Sequence, residues 1–282
     1  MAIELTTKFA PYTDEQFSTE SRKSLLTNDD FDWNGARTVK IYKVSTAKMN
    51  DYDRSGATLV DGKWSRYGNV ESLNAATETL MLNKDRSFTF PVDKLDADET
   101  QMQLAAASAL ARQTREVVIP EVDKYTYGVM CENAGTKPAA VSLTADTIYD
   151  SILAGSETLD NAEVPETDRV LVVTPTTYAL MKKCKDVVME TDIGNDLRLK
   201  GVIGMLDGCT VIKVPANRLP EGFGFMIAHP CATVAPTKLE DYTVHNNPPG
   251  ISGDLVEGRI VYDAFVLDNK AKAIYYQAVT TE

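Results

Sequence analysis

The residues best suited to metal binding or proton transfer are the two histidines of the chain, His229 and His245. Neither belongs to a recognisable zinc motif, so a metal site would need ligands from distant parts of the sequence. The cysteines form no Cys-x-x-Cys pair, which is typical of buried thiols in a reducing compartment rather than of a disulfide framework. They are Cys131, Cys184, Cys209 and Cys231. We therefore expect no metal and no cofactor.

Glycine-rich segments that could contact phosphate occur at residues 201–208 and 222–224. The first, GVIGMLDG, has neither the lysine nor the hydroxyl residue with which a P-loop binds nucleotide and magnesium, and the second lies in a predicted strand. Asp192, Asn195 and Asp196 match part of a calcium-binding loop that lacks its final glutamate. We interpret the glycine-rich segments as tight turns and the segment with Asp192, Asn195 and Asp196 as a solvated loop. With no serine-hydrolase motif either, the sequence predicts no catalytic residue and no enzyme.

The overall charge argues against a protein that holds DNA tightly. The chain has 29 Lys and Arg against 41 Asp and Glu, a net charge of −12. DNA affinity comes largely from Lys and Arg that displace counterions, so any contact with DNA is expected to be weak or local. No segment approaches the ~18 apolar residues of a membrane span, and the amino terminus does not resemble a secretory signal. We expect a soluble globular protein made in a cytosol.

The first 36 residues are polar, with widely spaced apolar residues that include Phe9, Tyr12 and Phe17. Such a segment cannot form a core of its own. It is interpreted as an arm that lies on another surface, such as a neighbouring subunit, with a short helix over about 13–26. A frayed terminus is the alternative.

Two predicted strands, at 37–44 and 86–92, enclose an excursion of about forty residues that is rich in Asp, Ser, Gly and Asn. We expect the two strands to pair as a ribbon. A two-stranded ribbon is marginally stable alone, so contact with another chain is the favoured interpretation. Trp64 and Tyr67, with Lys63 beside them, lie near its tip and are predicted intersubunit contacts. In the alternative interpretation, the aromatic residues form a small cluster within the ribbon.

The strongest helical signal covers residues 98–127, where Ala and Gln are frequent and apolar residues recur at steps of three and four. Pro120 interrupts this pattern and predicts a bend over 117–120. Thirty residues at ~1.5 Å each would give a helix of about 45 Å. Such a helix is longer than an ordinary domain is wide.

The second half of the chain predicts a small α/β lobe, preceded by a helix over 145–153 that Gly155 ends. The lobe is centred on residues 169–236. Its predicted elements are a strand at 169–174, a helix at 175–183 and strands at 210–214 and 223–228. A carboxyl-terminal hairpin of strands at 259–267 and 273–279 is expected to pack under the long helix.

The order of these parts resembles the major capsid protein of tailed double-stranded DNA bacteriophages, which has the Hong Kong 97-like fold, an α+β fold. Three strings are similar to capsid proteins from phages and prophages of Gram-positive bacteria: DRSFTFPVDKLDADETQMQLAAASALARQTREVVIPEVDKY, RVLVVTPTTYALMKK and DLVEGRIVYDAFVLDNKAKAIYY. The resemblance implies five parts. They are an amino-terminal arm (1–36), an extended β-ribbon loop (37–92), a peripheral domain (93–167) with a spine helix (98–127), an axial domain (168–236) and return strands to the peripheral domain (237–282).

The resemblance also implies a structural function in the virion. Subunits would form hexamers and pentamers of an icosahedral shell around DNA, assembled in the host bacterial cytoplasm. A separate scaffolding protein or none is implied, with portal and decoration proteins as further candidate partners. Phe9, Tyr12, Phe17, Lys63, Trp64 and Tyr67 are the candidate contact residues. No motif identifies Lys48 or Lys63 as the lysine of the isopeptide crosslink that some members form. Two alternatives stay open: an encapsulin-type compartment, and a nucleotide-binding enzyme with its site in the axial lobe.

Overall fold

The fold is described from a computed structural model, which covers residues 21–28, 33, 38–55, 65–68, 71–73, 75–95, 106–184 and 204–280. The chain divides into two compact units. One is Trp33–Leu82, and the other combines Met1–Asp32 with Asn83–Glu282. No helix within the described ranges is long and apolar enough to cross a membrane.

The elements alternate between helices and mostly antiparallel strands, which makes the fold α+β. The helices are α1 (Ala106–Gln113), α2 (Ile119–Glu132), α3 (Ile148–Asn161) and α4 (Pro175–Lys183). The strands are β1 (Thr38–Val44), β2 (Ala75–Met81), β3 (Lys84–Asp93), β4 (Val170–Val173), β5 (Met205–Leu206), β6 (Cys209–Lys213), β7 (Phe223–Ala228), β8 (Thr233–Val234), β9 (Thr237–Asn246), β10 (Gly253–Tyr262), β11 (Phe265–Val266) and β12 (Ile274–Ala278).

The unit Trp33–Leu82 is built on a ribbon of two antiparallel strands. The predicted first strand is confirmed as β1, but its predicted partner is wrong, because β1 pairs with β2. The expected partner segment, 86–92, lies within β3, which pairs with β10 instead. The reason is burial: Val92 of β3 enters a cluster with Ala106 and Val256, a core that a ribbon cannot provide.

In the larger unit, β3, β10 and β9 form an antiparallel sheet in that order. The long helical segment packs on one face of it. Val118 and Val122 meet Ile260 and Tyr262 of β10 in a buried cluster. The face buries apolar side chains at alternate positions of β10, as expected of a half-buried strand.

The long helix is present, and its predicted interruption is a change of helix type. Between α1 and α2 the backbone forms a π-helical turn, Thr114–Val118, in which the Ile119 N–H donates to the Thr114 carbonyl. Pro120 follows directly and has no N–H to donate, so the wider turn accommodates the lost α-helical bond. The predicted start at residue 98 lies outside the described residues. The helix ends at Glu132 rather than Tyr127, since Met130 and Cys131 continue its buried side.

The next helix starts later and runs further than predicted. α3 covers Ile148–Asn161, and Ile148 and Ile152 are buried as expected. Leu153, predicted to point inward, is partly exposed, and Gly155 lies inside the helix rather than ending it. A Cβ at Gly155 would lie 2.9 Å from the Ile227 side chain. The lack of a side chain at Gly155 allows this close packing on the sheet, which overrides the tendency of glycine to end helices.

The axial sheet has five strands in the order β12-β7-β4-β6-β5. The predicted helix 175–183 and strand 223–228 are confirmed with the same bounds, as α4 and β7. The predicted carboxyl-terminal hairpin is wrong, because β10 joins β3 and β9 while β12 pairs with β7. Neighbouring residues of β12 enter different clusters, Ile274 on one face of the sheet and Tyr275 on the other. A strand buried on both faces requires layers on both sides.

Two glycines provide a matched test of this packing. A Cβ at Gly224 would lie 2.7 Å from the Gln277 carbonyl oxygen of the adjacent strand, whereas a Cβ at Gly128 in α2 would meet no atom within 4 Å. We expect Gly224→Ala to lower the free energy of unfolding by about 1–3 kcal/mol through overpacking. Gly128→Ala should raise it by roughly 0.5–1 kcal/mol through helix propensity. Urea unfolding of both variants measures the difference, and equal effects would contradict this packing.

Candidate functional site

Most of the predicted contact residues lie outside the described residues: Phe9, Tyr12, Phe17, Lys63 and Trp64. Tyr67 is described and 76% exposed. Its ring packs edge-on against Tyr52, with 5.0 Å between ring centroids and 69° between ring planes. Tyr67 thus contacts one neighbour within the ribbon and leaves most of its side chain open, so its role as an intersubunit contact stays a prediction.

Backbone geometry continues the ribbon beyond the ends of β1 and β2. The Asp53 N–H donates to the Arg66 carbonyl oxygen at 2.9 Å, which joins the two sides close to Tyr52 and Tyr67. Gly68 has a φ of 91° and packs against the Asn50 side chain, where a Cβ would lie within 2.8 Å of Asn50 atoms. The two sides of the excursion therefore stay together well past the regular strands.

One face of the ribbon is open, and it is apolar at the end next to the excursion. Tyr42 lies opposite Thr77, and Val44 lies opposite Ala75, on the same face of the antiparallel pair. Tyr42 is 74% exposed and Val44 is 61% exposed. Lys40 and Thr79 lie next on this face and separate these residues from Met81. We term Tyr42, Val44, Ala75 and Thr77 the apolar ribbon face. An open patch of large apolar side chains on a thin element is typical of a protein interaction surface.

The ribbon unit also differs from the rest of the chain in charge. Residues 33–82 contain seven Lys and Arg and five Asp and Glu, a net charge of +2. The remaining residues contain 22 Lys and Arg and 36 Asp and Glu, a net charge of −14. The net charge of the ribbon unit therefore has the opposite sign to the net charge of the remaining residues.

Part of the predicted arm packs on its own subunit rather than on a neighbour. Leu26 is fully buried in the core that contains Tyr127 and Met130. The Asn28 side-chain amide donates to the carbonyl oxygens of Pro230 at 3.1 Å and Cys231 at 3.0 Å. Residues 21–28 therefore lie on the body of their own chain, and contact between the arm and a neighbouring subunit stays a prediction. Apolar burial explains the position of residues 21–28, because Leu26 fills a position in the core of its own chain.

A buried ion pair joins the spine helix to the axial lobe. The Arg218 guanidinium lies 2.8 Å from the Asp123 carboxylate, and both side chains are almost fully buried, at 5% and 2% exposure. The Ser21 hydroxyl donates to the other carboxylate oxygen at 2.6 Å. Three distant segments thus meet at one carboxylate. The available signal was an acidic residue next to the apolar stripe of the long helix, but the sequence did not indicate its partner.

A second buried carboxylate, Asp263, organises the start of β3 and the end of β10. It accepts hydrogen bonds from the Tyr125 hydroxyl at 2.7 Å, the Asn83 N–H at 2.8 Å and the Ala264 N–H at 2.9 Å. Burial, reinforced by the bond to Asp263, raises the pKa of Tyr125 well above its ordinary value of 10. The Lys84 ammonium lies 4.7 Å from the centre of the Tyr125 ring.

This tyrosine predicts a loss of stability in alkali. A pKa raised by folding means that the native state retains a proton that the unfolded chain releases, so stability falls as pH rises above 10. Tyr125→Phe should be about 0.5–1.5 kcal/mol less stable than the wild type at pH 7.5, since one hydrogen bond is lost. The gap should narrow at pH 10.5. Urea unfolding at both pH values measures it, and a constant gap would contradict the role of Tyr125.

The remaining chemical candidates have structural positions. His229 Nδ1 accepts a hydrogen bond from the Cys231 N–H at 3.1 Å, and His245 lies 3.2 Å from Glu257 on an exposed strand face. No group of three His, Cys, Asp or Glu in the described part of the chain could hold a metal ion. Gly204 and Gly208 have φ values of 66° and 70°, as expected of tight turns. The predicted solvated loop at Asp192, Asn195 and Asp196 lies outside the described residues.

The predicted buried thiols are largely confirmed. Cys131, Cys184 and Cys209 are buried, while Cys231 is partly exposed. Burial is the main cause that raises the pKa of Cys131 to about 12 and that of Cys209 to about 11. These thiols are therefore protonated at neutral pH, which makes them poor nucleophiles and poor metal ligands.

Comparison with known proteins finds similarity to solved structures. No protein-family model and no curated protein matches the sequence. Among solved structures, a chain of Mycobacterium phage Che8 has a TM-score of 0.73 at 19% identity, with 97% of each chain covered. The capsid structure of Cyanophage P-SCSP1u has a TM-score of 0.73 at 13% identity, covering 99% of this chain and 94% of that chain. A virus-like particle from Pyrococcus furiosus has a TM-score of 0.56 at 11% identity, covering 92% of each.

These similarities extend over nearly the whole chain. They include the ribbon, the long helix and the axial sheet together, so they do not depend on one common supersecondary motif. At such low identities they are evidence of the fold. The chain has the Hong Kong 97-like capsid fold.

Proposed function

We propose that this chain is the major capsid subunit of a tailed bacteriophage, which forms hexamers and pentamers of an icosahedral shell around double-stranded DNA. The observation that carries the proposal is the match over 97% or more of this chain to two phage structures at a TM-score of 0.73. One of them is described as a capsid. The role is structural.

The ribbon supports assembly. A two-stranded ribbon has too little core to be stable in isolation, and the apolar ribbon face leaves Tyr42 and Val44 mostly exposed. Packing of this face against a second copy of the chain removes that apolar area from water. Because each copy would contact a different surface of the next, the contact is heterologous, and it generates rings and shells when its rotation closes.

The charge difference supports the same arrangement. A ribbon unit of net charge +2 is attracted to the remainder of another copy, whose net charge is −14. The attraction favours contact between unlike parts of two subunits and disfavours contact between two acidic bodies. The electrostatic attraction at the ribbon contact should therefore weaken as salt is added, since exposed charges are screened over about 8 Å at physiological ionic strength.

An encapsulin-type compartment is the second candidate, supported by the similarity to the Pyrococcus furiosus virus-like particle. That similarity has a TM-score of 0.56, below the 0.73 of the phage structures. The phage shell is therefore the better supported of the two. Genes for a portal and a terminase beside the gene of this chain would support it further, whereas a neighbouring cargo-enzyme gene would favour the compartment.

Negative-stain electron microscopy of the full expressed chain tests the proposal directly. We expect uniform icosahedral particles, or hexameric and pentameric rings, in preparations at low ionic strength. Sedimentation at increasing protein concentration should show the same species. A chain that stays strictly monomeric at high concentration would contradict the proposal.

A further inference from the structure

His229 acts as a cap at the junction between β7 and a short 3-10 helix, Pro230–Ala232. Its ring Nδ1 accepts a hydrogen bond from the Cys231 N–H at 3.1 Å. Its own backbone N–H donates to the Ala273 carbonyl oxygen, also at 3.1 Å, which fixes the residue against the segment directly before β12. Ser, Thr, Asp and Asn are the usual residues at such a cap, and none of them changes its capping ability near neutral pH.

The capped turn also binds the arm segment, residues 21–28. The Asn28 side chain donates to the carbonyl oxygens of Pro230 and Cys231, and the Asn28 backbone N–H donates to the Thr233 carbonyl oxygen at 2.9 Å. Leu26, two residues earlier, is fully buried. The position of these three acceptors depends on the path of the backbone immediately after His229.

The cap requires a neutral imidazole. A neutral ring has one nitrogen with a free lone pair, which here must be Nδ1, whereas a protonated ring carries hydrogen on both nitrogens and cannot accept. On protonation, two N–H groups, one on Nδ1 and one on Cys231, would point at each other. The ring or the turn would have to move to separate them, and either movement removes the cap.

The groups around His229 shift its pKa in both directions. Asp168 and the backbone of Thr167 favour the protonated ring, while Arg169 and Lys270 oppose it. Burial opposes it most, and the net result is a pKa of His229 below its ordinary value of 6.5. The native state therefore binds this proton less readily than the unfolded chain does. The stabilisation is complete above pH 6.5 and is lost as pH falls through that value towards the lowered pKa.

We propose that protonation of His229 loosens the arm segment 21–28 at its Asn28 end, so that the cap works as an acid-sensitive latch. The proposal concerns contacts within one chain. It can therefore be tested in the unassembled subunit and does not depend on shell assembly.

Hydrogen exchange of the full-length, unassembled chain at pH 7.5 and pH 5.5 tests it, with rates corrected for the intrinsic pH dependence of exchange. In the wild type, we expect corrected exchange of the peptide that contains Asn28 to be about fivefold faster at pH 5.5, the effect of losing one cap on a local opening equilibrium. His229→Asn retains an acceptor that does not titrate, so its corrected exchange should be the same at both pH values.

The chain provides its own control, because His245 is its second histidine. His245→Asn should behave as the wild type does. Equal corrected exchange of the wild type at both pH values, or a pH effect that persists in His229→Asn, would overturn the proposal. If His229→Asn does not fold, the same measurement is made on Asn28→Ala. Fast corrected exchange of this variant at both pH values supports the latch, whereas a pH dependence equal to that of the wild type refutes it.

Discussion

Replacing Arg218 with alanine is expected to lower the free energy of unfolding by about 3–5 kcal/mol. The change removes the cation from the Asp123 carboxylate, whose side chain is 2% exposed in the wild type. The Ser21 hydroxyl still donates to that carboxylate but carries no charge to balance it. Circular dichroism in urea is the suitable measurement, because both tryptophans, Trp33 and Trp64, lie in the separate unit Trp33–Leu82.

The control is an ion pair of the same length on the same helix. Arg86 lies 2.8 Å from Glu121, but the two side chains are 62% and 41% exposed. Arg86→Ala should therefore cost less than about 1 kcal/mol, since water stabilises both charges when they separate. Similar losses in the two variants would show that burial does not set the strength of the Asp123–Arg218 pair.

Placing carboxylates on the apolar ribbon face is expected to abolish assembly while the subunit stays folded. Tyr42→Asp combined with Val44→Asp introduces two negative charges where the proposed contact buries apolar side chains beside an acidic surface. Burying an unpaired charge costs several kcal/mol, and every ~1.4 kcal/mol per contact corresponds to a tenfold change in association. The protein concentration needed for particles should rise by at least about a hundredfold, as measured by light scattering and negative-stain microscopy.

The matched control keeps the same positions apolar. Tyr42→Phe combined with Val44→Ile should assemble as the wild type does. The thermal unfolding of both double variants should stay close to that of the wild type, because the changed side chains are exposed in the single chain. Normal particles from the double aspartate variant would refute a role for this face, and global unfolding would show that the ribbon is part of the core.

A shorter ribbon tests the same point without new charge. Removal of residues 49–69 deletes the tip, including Tyr52 and Tyr67, and leaves β1 and β2 intact. We expect a folded subunit that assembles poorly. A deletion that leaves assembly unchanged would place the important contacts on β1 and β2 alone.

Several elements could be predicted closely because their signals are local. Pro175 is fixed at a φ that suits the first turn of a helix, and Thr174 accepts a hydrogen bond from the Thr177 N–H as its cap. β7 is an unbroken apolar run of strand length, Phe223–Ala228, and all six of its residues are buried. In each case neighbouring residues are sufficient to specify the element.

Strand partners were predicted less well. The choice of β2 rather than β3 for β1, and of β7 rather than β10 for β12, depends on which core each strand can fill. Gly155 has the same cause: its local tendency is to end a helix, but close contact with Ile227 decides its use. Alternation of apolar residues shows that a strand has a buried face without showing what covers it.

From its residues alone, this chain was predictable as a protein with a ribbon, a long helix and an α/β lobe, because hydrophobic periodicity, capping residues and proline act within a few positions. Its contact chemistry was decided only by the tertiary structure. Asp123 and Arg218 are 95 residues apart, and Asn28 lies more than 200 residues from the turn that His229 caps. The pairings of charges and hydrogen bonds over such distances follow from how the layers pack, since a buried polar group must find its partner wherever the fold brings one within reach.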